Sequence, residues 1–144
     1  MTTPANHTVL FLCTGNSARS QMAEGFAKIC APQGVEVVSA GTEPKGIHPR
    51  AIQVMDEVGV DIRPQRSQDL EGIDIGSLEL VVTLCGSADR RCPPLPAGVA
   101  KEHWPLPDPA EAEGGEEEVV AVFRSVRDDI RRRVEELMDG LGAS

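Results

Sequence analysis

Tyrosine is absent from this chain, and its other aromatics are three phenylalanines and one tryptophan in 144 residues. A core built on packed rings is excluded, so the interior must be mostly aliphatic. Basic residues are short as well: 14 Lys and Arg stand against 23 Asp and Glu, a formal net charge of −9. Nucleic acid is therefore not expected as a partner, because phosphate contacts need a basic surface. No window approaches the ~20 apolar residues of a membrane span. Met1–His7 carries neither a basic segment nor a long apolar run, so no secretory leader is expected. A cytoplasmic location follows as the expectation, and a monomer is the default. Cysteine is scarce too, with four residues, and in a reducing compartment permanent disulfides are rare. Each cysteine then needs its own explanation.

What is present suits one domain. A hydrophobic fraction of 40% and a charged fraction of 26% are ordinary for a globular protein. The length suffices for a core without staples. No internal repeat or linker divides the chain, so residues 1–144 read as a single domain.

The rest of the chain is organised around Cys13-Thr14-Gly15-Asn16-Ser17-Ala18-Arg19-Ser20. A buried strand from His7 to Leu12 precedes it, and a helical run from Gln21 to Ile29 follows, with Met22, Phe26 and Ile29 at helical spacing. At such a strand-to-helix turn, backbone N–H groups converge and the helix dipole adds positive potential. Arg19 supplies a planar fork of donors matched to a tetrahedral oxyanion. The same field favours thiolate, so Cys13 is expected to be a nucleophile active near neutral pH, with Ser17 and Ser20 hydroxyls available to bond its sulfur. Cys30 falls on the apolar stripe of the helix and reads as core.

Val35–Ser39 makes a second strand, completing a right-handed βαβ unit with Cys13 at the carboxyl edge, where open α/β sheets bind ligands. A helix starts at His48-Pro49, and 61–75 is irregular, with a short helix near Ser67 to Leu70. Leu78–Leu84 is a third strand and Val99–Trp104 a fourth. Pro105–Glu118 reads as an exposed loop. A closing amphipathic helix carries Val119, Phe123, Val126, Ile130, Val134 and Leu137. Its Arg, Asp and Glu face reads as solvated, with i,i+4 pairs.

Cys85 and Cys92 follow the third strand, at the same sheet edge as Cys13. Six residues separate them, too many for a CxxC redox motif. A thiol relay, a zinc site with His103, and two unrelated thiols all remain open on spacing alone. If Ser87–Arg91 is helical it must loosen before the pair can close, since a disulfide needs Cα atoms within about 7 Å. Asp108, between Pro107 and Pro109, is a candidate general acid or simply an exposed loop carboxylate.

The Cys13–Gly25 segment resembles the phosphate-binding loop of the low-molecular-weight protein tyrosine phosphatase superfamily. Together with Ser39-Ala40-Gly41, Val82-Thr83-Leu84-Cys85, Cys92-Pro93, Lys101-Glu102-His103-Trp104 and Asp108-Pro109, it resembles the thioredoxin-coupled arsenate reductases of that superfamily. The resemblance implies an α/β fold, a three-layer α/β/α sandwich on a central four-stranded parallel sheet. It implies that Thr14, Gly15, Asn16, Ser17, Ala18, Arg19 and Ser20 hold arsenate, with phosphate and sulfate as analogues. Cys13 then attacks, and Asp108 protonates the departing oxygen. Cys85 attacks Cys13 and releases arsenite, and Cys92 moves the disulfide to Cys85–Cys92, which thioredoxin reduces. No tightly bound cofactor is implied. In some members a potassium ion supports the loop, and the matching positions are Asn16, Glu24, Ser39 and Asp69, an all-oxygen set suited to a hard cation. Ala18 stands where some relatives carry an extra loop cysteine, and Pro107 stands where an acid often precedes the catalytic aspartate. A phosphatase without redox chemistry is the nearest alternative, against which the lack of tyrosine weighs; a thiol redox sensor is another.

Overall fold

The apolar run ahead of Cys13 is strand β1 (His7–Cys13), whose residues from Val9 onward are buried on both faces. A strand so enclosed belongs in the middle of a parallel sheet, and β1 lies there. In the computed structural model, which describes residues 7–142, the sheet order is β2-β1-β3-β4. β2 is Val35–Gly41, β3 is Leu78–Thr83 and β4 is Ala100–His103, and every pairing is parallel. The ends of the expected domain, 1–6 and 143–144, lie outside the described residues.

The chain leaves β1 for β2 on one side and later returns to β3 on the other. This reversal opens a crevice at the carboxyl ends of β1 and β3, the usual ligand position in such sheets. In-register pairing aligns Cys13 with Gly41, and Leu12 with Thr83. Cys85 follows two residues after β3 ends, so two cysteines seventy-two residues apart meet at one crevice.

Three helices pack together: α1 (Arg19–Cys30), α2 (Pro49–Asp56) and α4 (Glu116–Gly142). α4 buries Val120, Phe123, Val126, Ile130, Val134 and Met138, each worth about 1.5–3 kcal/mol if fully transferred from water. Its charged face holds the expected near-neighbour pairs, Arg131–Glu135 and Arg133–Asp129 among them. Arg127 departs from that expectation. It is buried, donates to the Val54 carbonyl and pairs with Glu57, tying α4 to α2.

The other face of the sheet has a thinner cover. Leu10, Leu12 and Val81 meet Leu70, Ile75, Cys92, Pro93 and Leu95 from two 3-10 turns (Leu70–Gly72 and Ile75–Ser77) and the segment after helix α3 (Gly86–Arg91). The short helix expected at 67–70 thus lies slightly later, where Asp69 caps it through Glu71 N–H. Two positions on α1 also differ from expectation. Ile29 is 66% exposed, because the last turn of α1 runs past the elements that cover it. Cys30 is half-buried, its thiol donating to Phe26 O. The 105–118 segment is anchored by buried Leu106 and Pro109. Among the described residues, no helix is long and apolar enough to cross a membrane.

Candidate active site

The loop from Cys13 to Ser20 owes its shape to a strap formed by the β2–α2 connection. N–H groups of Thr42, Glu43, Lys45 and His48 donate to the carbonyls of Cys13, Thr14, Gly15 and Ser17. The Asn16 carbonyl accepts from Gln21 Nε2. In a trans peptide, C=O and N–H point in opposite directions. Holding five successive carbonyls outward therefore turns the N–H groups of Thr14 to Ala18 the other way, into the cleft. Asn16 sits at φ 44°, the left-handed conformation that a nest of N–H groups needs. Its side chain fixes it there: Nδ2 donates to Ser20 Oγ and Ser39 Oγ, and Oδ1 accepts from Gln68 N–H. Gly41 makes room, since a Cβ on it would lie 2.6 Å from Thr14 O and 2.8 Å from Asn16 N.

The cleft measures about 460 Å³, and its walls include Cys13, Arg19, Cys85 and Asp108. Thr14, Gly15, Ser17 and Ala18 line it as expected, whereas Asn16 and Ser20 lie behind it as supports. Arg19 is 7% exposed and pre-set by bonds from Nη1 to Leu106 O (2.9 Å) and Leu84 O (3.3 Å). Its Nη2 lies 3.6 Å from Asp108 Oδ2. Asp108 caps the 3-10 turn Pro109–Glu111 through Ala110 N–H, so the proline-flanked carboxylate is held at the rim.

The thiols differ from expectation in one respect. Contact with Cys85 and burial raise the Cys13 pKa, against the pull of Arg19. The opposite holds for Cys85, which falls to about 4: Cys13 donates to it, as do the Thr14 hydroxyl (3.1 Å) and Ala88 N–H (3.4 Å). The two shifts run in opposite directions and favour the proton on Cys13 and the charge on Cys85, where the sequence alone suggests a thiolate on Cys13. The hydroxyl touching sulfur is Thr14's, not that of Ser17 or Ser20. A thiolate absorbance should accordingly persist as pH falls from neutrality and vanish only through about pH 4. It should be absent from that range in Cys85→Ser. Loss of the wild-type signal already at the ordinary thiol pKa would refute the lowered Cys85 pKa.

Cys85 caps α3 at its start, and Cys92 lies at its end. Six helical residues lie between them, and seven steps at helical rise put their Cα atoms about 10 Å apart, beyond disulfide reach. Cys92 is half-buried in the apolar cover of the sheet, and that burial raises its pKa. α3 is held by Asp89, which accepts from Thr83 Oγ1 and Lys101 Nζ, and by an Arg91–Glu43 pair. The His103 ring is turned to Thr83 Oγ1 (2.8 Å). Among the described residues no three His, Cys, Asp or Glu side chains gather as for a metal, so the zinc reading finds no support.

The family model described as low molecular weight phosphotyrosine protein phosphatase matches residues 8–144. The arsenate reductase of Bacillus subtilis (strain 168) is 48% identical over 134 residues, 93% of this chain and 96% of that one. The chain belongs to this family, in its arsenate reductase branch. A solved arsenate reductase in the phosphate binding state is 37% identical, with a TM-score of 0.76 over 93% of this chain and 98% of that one. The thioredoxin-dependent arsenate reductase of Corynebacterium glutamicum is 28% identical, with a TM-score of 0.77 over 99% of this chain and 65% of that one.

The potassium site that the family resemblance implies does not fit these residues. Asn16, Glu24 and Ser39 do come together, but they bond to one another: Asn16 Nδ2 to Ser39 Oγ, and Ser39 Oγ to Glu24 Oε1 at 2.5 Å. The Lys28 ammonium sits on Glu24 Oε2, also at 2.5 Å, and supplies the positive charge that a cation would bring. Asp69 is exposed and occupied in capping. Besides Ala110 and Glu111, which follow Asp108, two wall residues escape a reading centred on the loop motif: Lys45 and His48. Their signal in the sequence is position alone, directly after the carboxyl end of β2.

Proposed function

We propose that the protein reduces arsenate to arsenite, with Cys13 as nucleophile, Cys85 and Cys92 as relay thiols, and thioredoxin as electron donor. The observation that carries this reading is that Cys13 and Cys85 line one cleft, with Cys92 at the far end of the short helix that Cys85 caps. Ester hydrolysis needs one thiol in the cleft and would leave the other two idle. The names of the Bacillus and Corynebacterium relatives, and the phosphate-bound relative, support the same substrate class and donor.

The loop N–H groups and Arg19 bind the tetrahedral oxyanion and stabilise the charge that grows on it. Cys13 passes its proton to Cys85 and attacks arsenic. A sulfur–arsenic bond forms, and an oxygen leaves as water with a proton from Asp108. Cys85 returns its proton to the Asp108 carboxylate, and its thiolate attacks Cys13 sulfur. The sulfur–sulfur bond forms while the sulfur–arsenic bond breaks, and its electron pair stays on arsenic. Arsenate and two thiols thus give arsenite, one disulfide and water. Cys92 then attacks Cys85, freeing Cys13, and thioredoxin reduces Cys85–Cys92 by ordinary exchange.

The test is arsenate-dependent NADPH oxidation with thioredoxin and thioredoxin reductase, repeated with glutathione and glutaredoxin. Turnover with the first system is the expected result. Turnover only with the second would replace the reductant, and none with either would sink the reduction.

A further inference from the structure

Among residues near the cleft, His48 is held most firmly without being part of the Cys13–Ser20 loop. Its backbone N–H donates to Ser17 O (3.0 Å), joining it to the loop. Its ring packs on the buried Phe123 of α4, with centroids 5.0 Å apart. Its Nδ1 accepts from Arg50 N–H (3.1 Å), capping α2. An Nδ1 that accepts carries no proton, so the ring proton sits on Nε2. Backbone, ring plane and tautomer are all fixed, and Nε2–H is the one polar group the cap leaves over. Burial, Arg50 and Lys45 keep the imidazole neutral to below its usual pKa, against Asp108. Arg50 is itself paired with Glu116 of α4.

We propose that His48 is a ligand of the oxyanion, its Nε2–H donating to an oxygen that the Cys13–Ser20 loop does not hold. Lys45 is the neighbouring charge on the same wall. Its side chain lies over Gly15, where an added Cβ would come within 2.7 Å of Lys45 Cε. A tetrahedral anion presents four oxygens, His48 lines the cleft that would receive it, and a neutral donor at the wall binds one oxygen without adding a second ionisation. The inference rests on the oxyanion reading of the cleft.

The probe is inorganic phosphate, which binds without being reduced. Its affinity is measured by calorimetry for wild type, His48→Ser and His48→Asn. Serine keeps an acceptor for Arg50 N–H but cannot reach into the cleft; asparagine keeps an acceptor and restores a short donor. A hydrogen bond to an ion is worth roughly a factor of ten or more in affinity, so His48→Ser should bind phosphate about tenfold more weakly at an unchanged melting temperature. His48→Asn should recover most of the loss. With only three histidines in the chain, the ring signals in nitrogen-15 spectra are readily assigned. Phosphate should shift His48 Nε2–H and leave His7 and His103 unmoved. Equal affinity in His48→Ser, or an unmoved His48 signal on phosphate binding, overturns the assignment. If the serine variant melts early, the wild-type ring signal alone decides. Wild-type protein that binds no phosphate overturns both this inference and the oxyanion reading, whereas normal phosphate binding without arsenate turnover fails the proposed reduction alone.

Discussion

With Cys92 replaced by serine, the protein should release a single equivalent of arsenite and stop, with Cys13 and Cys85 joined by a disulfide. Cys13 and Cys85 line the same cleft, so their disulfide joins side chains that already face one another across it. The bond so formed is enclosed, with Cys13 3% and Cys85 8% exposed, and an external thiolate has no approach to either sulfur. In the proposed relay Cys92 is the relief: with α3 unwound, its thiolate would reach Cys85 and carry the bond outward. Arsenite released per protein and mass spectrometry of unreduced peptides check the result. Repeated turnover at the wild-type rate would show that the buried disulfide is reduced directly, and the relay would be wrong.

Arg19→Lys should cost catalysis heavily while leaving all three thiols in place. The guanidinium bridges three segments, donating to Leu84 O and Leu106 O and facing Asp108 from Nη2. One ammonium cannot serve those carbonyls and also present a forked pair of donors to the anion. Removing a donor of this kind typically lowers kcat/KM by about 10²–10³, and phosphate affinity should fall with it. An unpaired Leu106 carbonyl should also cost about 1–3 kcal/mol of stability, readable by urea unfolding. A variant that retains wild-type kcat/KM would remove Arg19 from the anion site.

Much of this site was legible in the chain, for reasons that differ by residue. The β1 run is apolar throughout, as a central parallel strand must be, and a Cys, five residues and Arg behind it define the cradle. Cys85 could be placed at the same edge because it follows β3, whereas Cys92, read at that edge too, lies against the sheet with Leu10, Leu12 and Val81, because α3 carries it away. The lowered pKa of Cys85 could not be read, since it depends on Cys13, Thr14 and Ala88 meeting one sulfur across a seventy-residue separation. Nor could the Lys28–Glu24 pairing, which alters what the Asn16, Ser39 and Glu24 constellation can hold. Ile29 follows the helical period of α1 and is exposed all the same, because periodicity does not say where the covering elements end. His48 signals itself only as a helix cap; that the cap stands at the wall of the cleft is a property of the strap.

Helix α3 has only six residues, and its anchors, Asp89 to Lys101 and Arg91 to Glu43, lie near the surface. Such a helix costs little to melt. A Cys85–Cys92 bond would require the segment to be non-helical and Cys92 to leave its apolar seat. On reduction the constraint would go, and Cys92 would withdraw among Leu10, Leu12 and Val81. On the proposed relay, the surface that a reducing partner would grip would then disappear with the bond it came to cut, and the product of the exchange would itself release the partner.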